Sequence, residues 1–297
     1  LKKILALLFA ALLIFVLAAC GTSENEETED TTNGTEEETE AGSEEETEEA
    51  DAEPTTIVVG ATSVPHAEVL EEAAPLLEEE NITLEIETYQ EYVLPNEDLD
   101  NGTLDANYFQ HIPYLNDQME QVGYDFVNLG GIHIEPMGIY SKNITSVDEI
   151  PEGTEVIMSR SVADHGRILS LLQNEGNITL DDSIDPIAAT VDDVTENPLN
   201  LEFDASIDAG LLPEFYEREE DALVAINTNY AIEAGLAPSD DALILEGSES
   251  PYVNVIAARS EDEESEALQK LVEVLRSEEI QNFISEEYQG AVVPVTE

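Results

Sequence analysis

Ile57-Val58-Val59-Gly60 and, a few residues on, Ala67-Glu68-Val69-Leu70-Glu71-Glu72-Ala73-Ala74-Pro75-Leu76-Leu77-Glu78-Glu79 decide the fold class. The first run has no polar alternation, the pattern of a strand buried on both faces. In the second, Val69, Leu70, Ala73, Leu76 and Leu77 fall on one helical stripe, and Pro75 is expected to kink it. Strand character returns at 83–88 and recurs at 127–129, 137–140, 155–158, 222–226, 242–245 and 252–258. After the last of these, 263–276 reads as a helix, apolar at Ala267, Leu268, Leu271, Val272 and Leu275. Strands alternating with helices predict an α/β architecture with mainly parallel sheets. No period of about 20 to 50 residues recurs, which argues against solenoids and propellers.

Upstream of this region lie Lys2 and Lys3, an unbroken apolar run over 4–17, and then Leu17-Ala18-Ala19-Cys20-Gly21. That is the layout of a secretory signal peptide, predicted over 1–19, and the run is short of the roughly 20 residues a membrane span needs. Leu-Ala-Ala-Cys resembles the bacterial lipobox, in which cleavage leaves an acylated cysteine at the new N-terminus. Cys20 is the chain's single cysteine, so it has no partner for an internal disulfide, and lipidation explains it. Each buried methylene contributes about 0.8 kcal/mol and stable anchoring takes two chains, so a multiply acylated Cys20 would hold the protein at the extracytoplasmic face of the cell membrane. From Cys20 to residue 54 the chain carries Glu, Thr, Asp, Ser, Gly and Asn with no large apolar side chain. This composition predicts a disordered acidic linker extended by self-repulsion. Fully extended, it reaches at most roughly 110 to 120 Å.

The formal charge of the chain is −60; the linker holds 16 of its 69 acids, which leaves 53 beyond residue 54 against seven lysines and arginines. Such a surface repels itself unless salt screens it, which predicts a salt-rich habitat. Nucleic acid is excluded as a partner, because no basic patch is present to neutralise phosphates. The remaining 240 or so residues suffice for one large or two smaller domains with a sizeable core.

Several blocks carry a family resemblance. Val59-Gly60-Ala61-Thr62-Ser63-Val64-Pro65-His66-Ala67-Glu68, Tyr92-Val93-Leu94-Pro95-Asn96 and Leu104-Asp105-Ala106-Asn107-Tyr108-Phe109-Gln110-His111-Ile112-Pro113-Tyr114-Leu115 come first. They are followed by His133-Ile134-Glu135-Pro136-Met137-Gly138-Ile139-Tyr140-Ser141, Glu196-Asn197-Pro198, Ala225-Ile226-Asn227-Thr228-Asn229-Tyr230-Ala231, Ser250-Pro251-Tyr252-Val253-Asn254 and Gly290-Ala291-Val292-Val293-Pro294. In this order the blocks resemble the methionine-binding lipoproteins of ABC importers, the MetQ/NlpA family. The resemblance implies a two-lobed, type II periplasmic-binding-protein-like fold with ligand in the interlobe cleft. Lobe 1 would take 55–140 and 252–297, and lobe 2 would take 141–251. It implies a receptor that captures L-methionine or a close relative and delivers it to a permease and ATPase, with no cofactor.

A zwitterionic amino acid needs a cation for its carboxylate, acceptors for its ammonium and an apolar slot for its side chain. Arg167, in Asp164-His165-Gly166-Arg167-Ile168-Leu169, stands where the family places a ligand-binding arginine, and its planar fork suits a carboxylate. Tyr92, Phe109, His111 and Tyr114 supply aromatic edges for a thioether, worth about 0.3 to 1.5 kcal/mol each, and burial of the side chain adds about 1.5 to 3 kcal/mol. Micromolar binding requires about 8 kcal/mol, so polar recognition must supply much of the remainder. Asn227 and Asn229 are candidates for it, Asn227 as the direct contact. Asp164 departs from the family's common asparagine; beside Arg167 it would either pair with the guanidinium or take the ligand's ammonium.

Four other readings stand beside this one. His66, His111, His133 and His165 would suit a metal-binding lipoprotein, but they lie far apart in sequence and three sit in the family blocks; His66 reads as structural. A dipeptide-binding receptor remains an alternative within the family, and a non-transport surface adhesin an alternative outside it. Against an enzyme, the sequence has no Gly-x-Ser-x-Gly elbow, phosphate loop or His-Glu-x-x-His.

Overall fold

The computed structural model describes residues 54–295, so the expectations for the signal peptide, for Cys20 and for the linker up to residue 53 lie outside the described residues. The chain runs β1 (Thr55–Thr62), α1 (Glu68–Glu79), β2 (Ile82–Tyr89), α2 (Leu94–Asp100), β3 (Ala106–His111), α3 (Ile112–Gln121) and β4 (Phe126–Ile134). It crosses at 135–137 into β5 (Gly138–Tyr140), β6 (Glu155–Ser159), α4 (Val162–Asn174), β7 (Thr179–Leu180), β8 (Val194–Glu196) and β9 (Glu202–Ile207). Next come α5 (Leu212–Arg218), β10 (Leu223–Ile226), α6 (Thr228–Glu233), α7 (Pro238–Asp241) and β11 (Ile244–Leu245). It returns through 246–252 to β12 (Val253–Arg259), α8 (Glu266–Leu275), α9 (Glu278–Tyr288) and β13 (Val293–Pro294).

Two sheets result, one per lobe. The first has the order β13-β4-β12-β3-β1-β2, the second β11-β5-β10-β6-β9, and β7 with β8 forms a small ribbon. Two sequence expectations need correction. The sheets are mixed rather than mainly parallel: β1 runs parallel to β2 and β3, and β6 to β9 and β10, but β12 is antiparallel to β3 and β4, and β5 to β10 and β11. The cause is topological, because β12 re-enters the middle of the first sheet from the other lobe and so runs against its neighbours. Residues 138–140, assigned to the first lobe from sequence, pair with β10 in the second sheet; the chain leaves the first sheet after Ile134.

Each sheet is covered on both faces, as its strand composition requires. Ile57, Val59 and Ala61 of β1 pack with Val69, Leu70, Ala73 and Leu77 of α1 and with Leu271 and Leu275 of α8. Pro75 lies within α1 without ending it; Glu71, whose carbonyl it leaves without a helical donor, is exposed to water. In the second lobe, successive residues of β10 feed opposite layers. Leu223 and Ala225 join Ile139, Met158, Ile168 and Leu172, whereas Val224 and Ile226 join Ile157, Leu212 and Tyr230.

Candidate functional site

Residues from both lobes meet around a partly open cavity. All eight side chains singled out from sequence line it: Tyr92, Phe109, His111, Tyr114, Asp164, Arg167, Asn227 and Asn229. Local structure explains the convergence. Phe109, Gln110 and His111 end β3 where its pairing with β12 shifts register, and all three line the cavity. Asp164 and Arg167 are three apart on α4 and share its inner face. Gly166 lets that helix sit against a neighbouring turn, since a Cβ there would lie 2.2 Å from the Pro186 carbonyl oxygen. Asn227 and Asn229 open α6 at the end of β10.

One wall is aromatic. The rings of Tyr92, Phe109 and Tyr114 form a triangle with centroids 6.0 to 6.1 Å apart. The Tyr114 hydroxyl donates to the Tyr92 carbonyl oxygen at 3.1 Å, and the Tyr92 hydroxyl donates to Asn229 Oδ1 at 2.6 Å. Burial keeps both phenols protonated by pushing their pKa values up, so they act as donors here. Their polar ends are thereby tied down and the ring faces are left for an apolar ligand.

The opposite wall is polar and ordered by His111, which sits at the N-terminus of α3. Its Nδ1 accepts from the Tyr114 backbone N–H at 3.1 Å, which leaves the Nε2 proton to be donated to Asp164 Oδ1 at 3.1 Å. Asn227 Nδ2 donates to Asp164 Oδ2 at 3.4 Å. Burial pushes the Asp164 carboxyl up, but the hydrogen bond and attraction of His111, the charge of Arg167 and the hydrogen bond from Asn227 outweigh it. The net result is a pKa below the ordinary aspartate value. The pairing of Asp164 with Arg167 considered from sequence does not form. Arg167 instead places Nη2 on the Glu246 carboxylate and on the Glu135 carbonyl oxygen, and stacks 4.4 Å over the Tyr252 ring. Arg167 thus ties α4 to both segments that connect the lobes.

Among the residues that line the cavity, three buried polar atoms have no protein partner: Arg167 Nε, Asn229 Nδ2 and Asn227 Oδ1. The donors from Tyr92 and to Asp164 fix which end of each amide is which. Two donors and one acceptor on cavity-lining residues are therefore unsatisfied, and buried polar groups are rarely left so without a ligand or water to complete them.

Sequence reasoning missed Glu135, Glu246, Gln110, Thr228, Tyr252 and Asn254 as neighbours of the site. For Glu135 a local signal exists, because His133 and Glu135 alternate along an extended chain and share a face. The histidines divide. His165 Nε2 bonds the Ser159 carbonyl oxygen at 2.9 Å, away from the other three. His66 and His133, distant in sequence, join Glu135 in a cluster whose ligating atoms lie within 4.8 Å of one another. His133 Nε2 bonds Glu135 Oε1 at 2.9 Å, and His66 Nε2, bonded to Asn254 Oδ1 at 3.1 Å, lies 3.2 Å from the same carboxylate oxygen.

Burial drives the His66 pKa down to about 4, with the Glu135 charge opposing and His133 reinforcing the shift. An unfolded histidine takes up its proton near pH 6.5, so stability held by the neutral ring is complete above that pH and is lost as pH falls towards 4. The loss amounts to about 3 kcal/mol. Urea unfolding at about pH 7 and about pH 4 checks it: His66→Gln should lose about 3 kcal/mol less than the wild type between them. Equal losses in the two proteins would show that His66 is not the group responsible.

Among the described residues no helix is long and apolar enough to cross a membrane. Residues 57–296 match the NlpA lipoprotein family. The chain is similar to a protein of Bacillus subtilis named methionine-binding lipoprotein MetQ, with 42% identity covering 97% of each chain. Among solved structures, a nutrient-binding protein from Burkholderia cenocepacia bound to methionine matches with a TM-score of 0.76 at 37% identity, covering 80% of this chain and 99% of the other. An ABC transporter periplasmic substrate-binding protein from Coxiella burnetii matches at the same TM-score of 0.76 with 36% identity, covering 80% of this chain and 100% of the other. Sequence and architecture agree, and the chain belongs to the NlpA lipoprotein family.

Proposed function

We propose that this chain is the extracytoplasmic receptor of an ABC importer, held to the membrane through Cys20, and that its interlobe pocket takes L-methionine and hands it to a permease and ATPase. The observation that carries the reading is the set of three unpaired atoms beside an aromatic wall. Arg167 Nε and Asn229 Nδ2 supply N–H donors to the ligand carboxylate, and Asn227 Oδ1 accepts from its ammonium. Tyr92, Phe109, His111 and Tyr114 surround the thioether. The names of the Bacillus and Burkholderia relatives point to the same ligand.

Isothermal titration of the purified protein in molar salt tests the proposal, with L-methionine, D-methionine, other amino acids, short peptides and zinc as titrants. L-methionine is expected to bind most tightly; heat from zinc or a dipeptide but not from L-methionine would replace the ligand, and no binding of any amino acid would remove the receptor role. The anchor has its own check. Cys20→Ser should move the protein from the detergent phase to the aqueous phase in a detergent partition of cells, because the acyl chains that supply membrane affinity are lost. Unchanged partitioning would mean that something other than Cys20 holds the chain.

A further inference from the structure

Two cavities meet at one side chain. Beyond the pocket described above, a wider and more open cleft is lined from both lobes, and Tyr92 and Tyr114 line the two alike. Phe109 belongs to the inner pocket and Tyr230 to the outer cleft. The Tyr92 ring has the first at 6.0 Å and the second at 5.1 Å, centroid to centroid. Tyr92 is therefore a partition, with an aromatic ring of each cavity against it.

The partition is latched across the lobes. Tyr92 comes from the segment between β2 and α2, and its hydroxyl donates at 2.6 Å to Oδ1 of Asn229, on α6 of the other lobe. Beside it the Tyr230 hydroxyl donates to the Gln90 carbonyl oxygen at 3.3 Å, a second bond across the same gap. Tyr114 does not depend on the Tyr92 ring, because its hydroxyl bonds the Tyr92 main-chain carbonyl. Truncating Tyr92 at Cβ thus leaves Tyr114 and Tyr230 tethered and opens a passage between them. Beyond that passage, among polar neighbours such as Asp117 and Gln118, Val93, Val162 and Leu211 line the outer cleft with 42%, 51% and 45% exposure. This is apolar surface that a hydrocarbon chain would cover.

With the thioether among Tyr92, Phe109 and Tyr114, a side chain longer than that of methionine runs into the Tyr92 ring. Room for it is made only by swinging the ring out, which breaks the bond to Asn229. That bond orients the amide whose Nδ2 is unpaired, so overfilling the aromatic slot also disturbs polar recognition.

We propose that Tyr92 sets the length of side chain the pocket accepts, and excludes S-alkyl homologues longer than methionine by walling the inner pocket off from the outer cleft. The assignment rests on the receptor reading above and adds to it the residue that fixes ligand size.

The test titrates wild type, Y92A and Y92F with L-methionine and with S-butyl-L-homocysteine, which keeps the zwitterion and the thioether and adds three methylenes. Wild type is expected to prefer L-methionine by at least about 30-fold, the scale of forcing extra methylenes into a packed site. Y92A should bind L-methionine about tenfold more weakly for want of the ring. It should bind S-butyl-L-homocysteine at least as well as L-methionine, since each methylene that reaches apolar surface adds up to about fourfold. Y92F keeps the wall and loses the latch, so both affinities fall while the preference stays within about threefold of the wild-type value. A Y92A that keeps the wild-type preference overturns the proposal, and so does a Y92F that loses it as Y92A does, because the bond rather than the ring would then exclude length. If Y92A does not fold, Y92L, apolar but shorter, decides in its place by the same ratio. A wild type that binds the two ligands alike overturns the assignment and leaves the receptor reading intact. Failure of the wild type to bind L-methionine at all is the distinct failure of that reading, and the assignment falls with it.

Discussion

Arg167→Ala is expected to weaken L-methionine binding by at least about 100-fold, the loss that follows from leaving a buried carboxylate without its cation. The guanidinium is 5% exposed, so water does little to replace it. Two carboxylates depend on it: that of Glu246, already bonded to Nη2, and in the proposed complex that of the ligand, facing the unpaired Nε. The substitution also removes the stacking on Tyr252 and the tie to the Glu135 carbonyl oxygen. Stability should therefore fall along with affinity, and thermal unfolding of the free protein must be measured beside the titration so that the two losses are separated. Arg167→Lys keeps the charge but loses the fork, and belongs between wild type and alanine. An unchanged dissociation constant in a folded Arg167→Ala protein would place the ligand carboxylate elsewhere.

The parts of this molecule that could be read from sequence are those that neighbouring residues specify. The stripe of Val69, Leu70, Ala73 and Leu77 gave α1, and the apolar run at 57–60 lies within β1, because periodicity is a local property. The run at 127–129 marked only part of β4, which extends to Ile134 through two glycines that carry no strand signal. Strand direction was not legible. Nothing inside residues 253–259 says that the chain has visited another lobe before reaching them, so parallel pairing was expected where β12 runs antiparallel.

The site divides in the same way. Its eight candidates came from short blocks and the chemistry of a zwitterion, and the fold gathers them around one cavity. Their partners did not follow, because those depend on pairs far apart in the chain. Arg167 meets Glu246 across 79 residues, and His66 reaches Asn254 across 188. The choice of Asp164 between Arg167 and His111 turns on the orientation of α4 against β3. Proximity in sequence offers Arg167 as one possible partner, and the packing of the two lobes gives His111.

Thermal stability should depend steeply on salt, with Tm lower by at least about 10 °C in 0.05 M than in 2 M sodium chloride, or roughly 3 kcal/mol and more for a domain of this size. The seven basic residues beyond the linker are already committed. Lys142, Arg160, Arg218, Arg259 and Lys270 pair with nearby acids, Arg276 bonds the Gly131 carbonyl oxygen, and Arg167 serves the pocket. The 53 carboxylates therefore far outnumber the cations that could pair with them. At about 0.01 M ionic strength the Debye length is about 30 Å, enough for repulsion to act across a lobe, whereas at about 1 M it is about 3 Å and only adjacent charges interact. Sucrose at matched osmolality should not substitute for salt if screening is the cause, and replacing a group of exposed glutamates by glutamine should flatten the dependence. A Tm that does not move with salt would mean that the acidic surface is not what limits stability. Ligand affinity is expected to behave differently, because a zwitterion brings no net charge to the protein's field. Between salt concentrations at which the protein stays folded, the dissociation constant for L-methionine should change far less than the folding equilibrium, which separates screening of the surface from recognition in the pocket.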